Sequence, residues 1–209
     1  MFVSFEGIDG CGKTTHLRLF KERLEKEGHK VEVVKEVDIV TRCKSCADVC
    51  RFFKLCCDEA LFFGFLSQMM DTEEGVARLE RNRIVVLADR NVHSTVAYTV
   101  LLSCAGSPMV KSCLSSFYQY CRKPDQTFFL DTPLQICLRR LESKSTQHPF
   151  EKIGLDRVQT EFYRLSRNDP RVVVVKSVEY GVILPAEKVS ESIWESFTKL
   201  RRSYGSTWL

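Results

Sequence analysis

Phe2-Val3-Ser4-Phe5-Glu6-Gly7-Ile8-Asp9-Gly10-Cys11-Gly12-Lys13-Thr14-Thr15 reads as a buried strand, a glycine-rich turn and the start of a helix. Gly7, Gly12, Lys13 and Thr14 fill the pattern G-x-x-x-x-G-K-[ST]. Residues without a Cβ let such a turn aim successive backbone N–H groups at a phosphate, and the dipole of the following helix adds positive potential. Lys13 is expected to reach the β- and γ-phosphates of a nucleotide and the Thr14 hydroxyl to serve a Mg²⁺ site. The setting supports the motif: an apolar, β-forming run ends at Gly7, and Leu17, Phe20 and Leu24 recur at helical spacing after Lys13.

Outward from this stretch, strands and helices alternate. Lys30 to Glu36 reads as a second strand, Cys43 to Met70 as two helices, and Thr72 to Arg81 as another. Arg83 to Asp89 is a continuous apolar strand ending in a carboxylate, Thr127 to Asp131 a fourth strand and Arg171 to Lys176 a fifth. Helices are expected over 94–102, 110–121, 134–141, 150–165 and 186–201. Unalternating apolar strands suit a parallel sheet covered on both faces, so the fold class is α/β with a five-stranded parallel sheet and right-handed crossovers.

Composition sets the limits. The chain has 209 residues, enough for one compact domain or at most two small ones, and at 44% hydrophobic and 28% charged it has the balance of a globular protein. No apolar run approaches a membrane span, and Asp9 and Lys13 interrupt the first one before it could act as a signal peptide, so a cytoplasmic location is expected. The formal charge of +4, with basic residues scattered, favours a small polyanionic ligand over a nucleic-acid polymer. Ten cysteines are then expected to remain thiols. Cys43, Cys46, Cys50, Cys56 and Cys57 crowd one segment, but the second Cys or His pair of a zinc module is missing, and small buried thiols on a helix are expected there. Cys11 is expected to be prone to alkylation if the loop exposes it.

In such sheets ligands gather beyond the carboxyl ends of the strands. Asp89 and Arg90 follow the third strand there: the carboxylate suits Mg²⁺ beside Thr14, and the guanidinium can fork onto a second anion. Loop and strand end together point to two phosphate-bearing ligands.

Gly7 to Thr15 resembles the phosphate loop of thymidylate kinases, and Asp89 to Tyr98 resembles their Asp-Arg-x-x-x-Ser-x-x-Ala-Tyr element. Pro124-Asp125, Pro133 and the basic helix carrying Arg139 and Arg140 keep the same order along nearly the whole chain. The resemblance implies a P-loop kinase fold in a single domain over 1–209, with a short lid around 142–150, and Mg²⁺-dependent transfer of the ATP γ-phosphoryl to dTMP by a homodimer. It also implies roles. Gly7, Ile8, Asp9, Gly10, Cys11, Gly12, Lys13, Thr14 and Thr15 would hold ATP, and Thr14 and Asp89 the metal. Lys13, Arg90, Arg139 and Arg140 would act in the transfer, with Lys144 in the lid. Asp9, Glu36, Phe65, Gln68, Arg90, Thr95 and Tyr98 would bind the acceptor, with Tyr98 crowding the sugar 2′ position.

The chain departs from the family pattern in three places. Lys35-Glu36-Val37-Asp38 replaces Arg-Glu-Pro-Gly-Gly, Gln68 stands where an arginine is usual, and His148-Pro149-Phe150-Glu151 replaces Asp-Arg-Phe-Glu. Two other readings therefore stand beside the first. One is a deoxynucleoside kinase, or a nucleotide monophosphate kinase of altered base preference. The other is a nucleotide-binding regulator without turnover.

Overall fold

The structure is a computed structural model that describes residues 1–35, 58–143 and 154–203. Five strands form one parallel sheet: β1 (Phe2–Glu6), β2 (Val31–Lys35), β3 (Val85–Asp89), β4 (Gln126–Asp131) and β5 (Val172–Lys176), in the order β2-β3-β1-β4-β5. Every residue of β1 is buried, as its unalternating sequence requires of a central parallel strand. Connections leave β1 toward β2 and β3 on one side, and the chain then crosses to β4 and β5 on the other. The reversal opens a crevice between β1 and β3, where the register pairs Phe5 with Asp89. The phosphate loop and Arg90 therefore leave the sheet side by side.

Helices cover both faces: α1 (Lys13–Lys26), α2 (Asp58–Arg81), α3 (Val92–Thr99), α4 (Pro108–Tyr120), α5 (Leu134–Glu142), α6 (Leu155–Asn168) and α7 (Ala186–Ser203). Phe5 and Phe128 lie on the face covered by α1 and α7. There Phe20 sits 5.6 Å from Phe5, 6.0 Å from Phe128, 5.5 Å from Trp194 and 5.0 Å from Phe197 between ring centroids. The next residue, Phe129, points the opposite way, as strand periodicity demands, and stacks on Phe162 of α6 at 5.1 Å.

Three sequence expectations need correction. The break placed near residue 71 is absent, and α2 runs unbroken from Asp58 to Arg81, because buried Phe62, Leu66, Met69, Thr72 and Val76 continue one stripe. The helix expected to reach Leu102 ends at Thr99, and a 3-10 turn at Ser103–Gly106 follows. A small antiparallel hairpin, β6 (Val178–Glu179) with β7 (Val182–Ile183), was not foreseen. The cysteine crowd over 43–57, Glu36 and, beyond Ser143, the lid expected around 142–150 lie outside the described residues, as does the side chain of Gln68.

Candidate active site

The loop between β1 and α1 is shaped by glycines in the left-handed region. Gly7 has φ 139°, Gly10 φ 82° and Gly12 φ 103°. A Cβ on Gly7 would lie 2.8 Å from Cys11 Sγ and 3.0 Å from Leu130 O, and one on Gly10 would lie 2.5 Å from Cys137 O. Both positions need glycine for space as well as for φ. Among the described residues no side chain caps the start of α1 at Gly12, so the helix presents its first N–H groups toward the loop. From below, Thr132 Oγ1 donates to Cys11 O at 3.0 Å, and Ser177 Oγ donates to Thr132 Oγ1 at 2.8 Å. Cys11 itself is only 1% exposed, so the condition on which its reactivity was expected is not met.

Lys13 turns its ammonium inward, donating to Gly7 O at 3.0 Å and Ile8 O at 3.1 Å, with Asp9 Oδ1 at 3.9 Å. Thr14 Oγ1 donates to Asp89 Oδ2 at 3.1 Å, so the hydroxyl and carboxylate singled out in the sequence do meet. Arg140 Nη1 reaches Gly10 O at 3.1 Å and faces the same cavity, whereas Arg139, the preceding residue of α5, is exposed and does not line the cavity. The cavity has a volume of about 570 Å³, within the usual range for small-molecule sites. Asp9, Lys13, Thr14, Asp89, Arg90 and Arg140 supply its charged and polar wall.

Arg90 is the hub of a hydrogen-bond cluster beside the loop. Its Nη1 donates to Gly7 O and to Ser94 Oγ, each at 3.1 Å, while Nη2 donates to Asp9 Oδ1 and, at 3.1 Å, to Tyr98 Oη. The backbone of Arg90 has φ 77°, a conformation that costs a non-glycine residue about 1–3 kcal/mol and clusters at functional sites. Burial works to raise the Asp9 pKa, but the charges of Arg90 and Lys13 outweigh it and hold the carboxyl below its ordinary value. Burial raises the Tyr98 pKa, so its hydroxyl stays protonated and donates to Asp9 Oδ2 at 3.2 Å. Thr95 is buried on α3, and Phe65 stands partly exposed on α2; neither lines this cavity.

Several participants escaped the sequence reading. His16 lines the cavity and hydrogen-bonds Ser190 through Nδ1 at 3.0 Å; burial, aided by the Arg140 charge, lowers its pKa and favours the neutral ring. Glu6 is fully buried, and its carboxylate accepts Asn91 N–H at 2.7 Å and the Ser94 hydroxyl. A charge at the end of an otherwise apolar strand, next to Gly7, was the available signal. Leu184, Ala186 and Val189, after the unforeseen hairpin, add an apolar wall to the same cavity.

A thymidylate kinase family model matches residues 5–181. The chain is 29% identical over 204 residues to the thymidylate kinase of Fervidobacterium nodosum, covering 98% of this chain and 100% of the relative. It is 31% identical over 186 residues to the thymidylate kinase of Thermosipho melanesiensis, covering 86% and 92%. A probable thymidylate kinase of Methanococcus maripaludis is 28% identical over 209 residues, covering 95% and 92%. The matched span holds the phosphate loop, the Asp89-Arg90 strand end and α5 with its arginines, and on that footing the chain belongs to the thymidylate kinase family.

Proposed function

We propose that the chain is a phosphotransferase that moves the γ-phosphoryl group of ATP to dTMP, giving ADP and dTDP for dTTP synthesis. The observation that carries this reading is the juxtaposition at Gly7: its carbonyl accepts both Lys13 Nζ at 3.0 Å and Arg90 Nη1 at 3.1 Å. A cation that belongs to the phosphate loop and one that belongs to the β3 end thus lie across a single peptide, which is the spacing needed to bring a donor and an acceptor phosphate together.

In this reading the loop amides and the first turn of α1 hold the β- and γ-phosphates of ATP, and Lys13 swings from the loop carbonyls to those oxygens. Arg90 binds the acceptor phosphate and orients it for in-line attack. Arg140, with Arg139 and lid residue Lys144, offsets charge on the moving group; a well-placed arginine contributes about 10³- to 10⁵-fold in such reactions. Asp9 and Tyr98 frame the acceptor sugar, Tyr98 excluding a 2′-hydroxyl, while Phe65, Gln68 and Thr95 approach the base and Glu36 the sugar. Transfer needs positioning and charge neutralisation more than covalent chemistry.

Thr14 Oγ1 and Asp89 Oδ2, 3.1 Å apart, are hard oxygen donors facing the cavity and fit Mg²⁺. When bound, the ion supplies charge neutralisation on the phosphate oxygens. Among the described residues no helix is long and apolar enough to cross a membrane. A cytoplasmic homodimer of single-domain chains, taking small nucleotides rather than a nucleic-acid polymer, completes the reading.

The test is ADP release with ATP and a panel of dTMP, dUMP, dCMP and thymidine. Turnover fastest with dTMP is expected. Consumption of thymidine without dTMP would make the protein a deoxynucleoside kinase, preference for dUMP or dCMP a monophosphate kinase of altered base choice, and tight ATP binding without any turnover a regulator.

A further inference from the structure

Glu6 is 0% exposed at the end of β1, next to the loop. Its Oε1 accepts the N–H of Asn91 at 2.7 Å, and its Oε2 accepts the Ser94 hydroxyl proton. The oxygen of that same hydroxyl accepts Arg90 Nη1 at 3.1 Å. One carboxylate thus touches the peptide immediately after Arg90 and, through one hydroxyl, the far end of the Arg90 side chain.

Arg90 itself sits at φ 77°, and a non-glycine residue keeps such a conformation only where its surroundings over-determine it. Arg90 N–H is held at 3.2 Å by the carbonyl of Phe5, the residue before Glu6, so β1 grips the peptides on both sides of Arg90. We propose that Glu6 is the positioning residue for Arg90, fixing its left-handed backbone through Asn91 N–H and aiming its guanidinium at the acceptor phosphate through Ser94. The inference rests on the reading of Arg90 as the acceptor clamp.

The chemistry explains why a carboxylate is used. Two acceptor oxygens take one N–H and one O–H, and by drawing the Ser94 proton toward itself the carboxylate leaves a lone pair facing the guanidinium. An amide of the same shape has one acceptor and one donor. In Glu6→Gln, a donor facing Asn91 N–H breaks the first grip, and a donor facing Ser94 leaves the hydroxyl proton without the acceptor that orients it.

Steady-state kinetics of Glu6→Gln and Ser94→Ala decide it. The KM for dTMP is expected to rise about tenfold in each, the KM for ATP to stay within about twofold, and the double variant to be no worse than the worse single one, because both act through one path. An unchanged dTMP KM, equal rises for both substrates, or fully additive effects would overturn the proposal. Should Glu6→Gln not fold, Ser94→Ala alone carries the same split of KM values. Wild type inert toward dTMP would end the reading of dTMP as the acceptor instead. Crystal structures of the wild type and both variants then decide independently: Arg90 leaving Gly7 O or its φ near 77° supports the positioning role, and an unmoved Arg90 refutes it.

Discussion

Phe5 and Glu6 are neighbours on β1, yet they belong to regions held together in different ways. Phe5 faces a block of rings under α1 and α7, where Phe20, Phe128, Trp194 and Phe197 contact one another without any required angle. Glu6 opens a set of directional bonds at the carboxyl edge, where Arg90, Asp9, Tyr98 and Ser94 each depend on the others' orientation. The first region makes the fold stable and is indifferent to the reaction. The second holds backbone strain and ionised groups in fixed places, and in the proposed reaction its task is to bind phosphate.

Separating activity from stability at the two sites tests this division. At the polar edge, Lys13→Ala is expected to lower kcat by about 10³-fold or more while leaving the thermal midpoint within a few degrees, measured by ADP release and by circular dichroism. Full activity would remove the loop from the mechanism. In the apolar block, Phe20→Ala is expected to cost about 3–5 kcal/mol in urea unfolding, with kcat and both KM values unchanged below the transition. A fall in kcat for folded Phe20→Ala would break the comparison, since it would mean the ring block transmits shape to the loop. Arg90→Ala is expected to lower kcat/KM for dTMP by about 10²-fold, through a higher KM and a lower kcat together. An acceptor response identical to wild type would detach Arg90 from the acceptor.

A buried polar cluster beneath α3 sharpens the contrast, because it is directional and yet serves folding. His93 Nε2 lies 3.5 Å from Asp169 Oδ2, Tyr118 Oη donates to the same oxygen at 2.9 Å, and His93 Nδ1 meets Thr127 Oγ1 at 3.3 Å. Burial lowers the His93 pKa against the opposing pull of Asp169, so the ring stays neutral in the folded protein. The unfolded chain takes up the proton first, near pH 6.5; stability is therefore complete above that pH and falls as the solution is acidified. His93→Gln is expected to flatten this dependence by one proton, about 1.4 kcal/mol per pH unit at most, in unfolding curves taken between pH 7 and 5. An unaltered slope would show that the ring is protonated in the native state.

How legible all this was depended on how local the signal is. The phosphate loop could be read because its glycines, Lys13 and Thr14 are contiguous, and β1, β3 and β4 could be read because strands buried on both faces cannot alternate. The helix boundary placed before Thr72 was not real, because in the fold Thr72 lies on the buried stripe that carries α2 through. The hairpin was passed over because its strands are two residues long, although Tyr180-Gly181 carries the positive φ values of a tight turn. Glu6 could not be linked to Asn91 and Ser94 from sequence at all. They are more than eighty positions apart and meet only because the register sets Phe5 beside Asp89.

Cys11 gives the loop a built-in clock. With its thiol sealed inside the turn and its carbonyl tied down by Thr132, a maleimide can label it only during the moments when the turn comes apart. Site-resolved mass spectrometry of that labelling, followed in time, would count those openings. Slower labelling on adding ATP would show that the nucleotide keeps the turn shut.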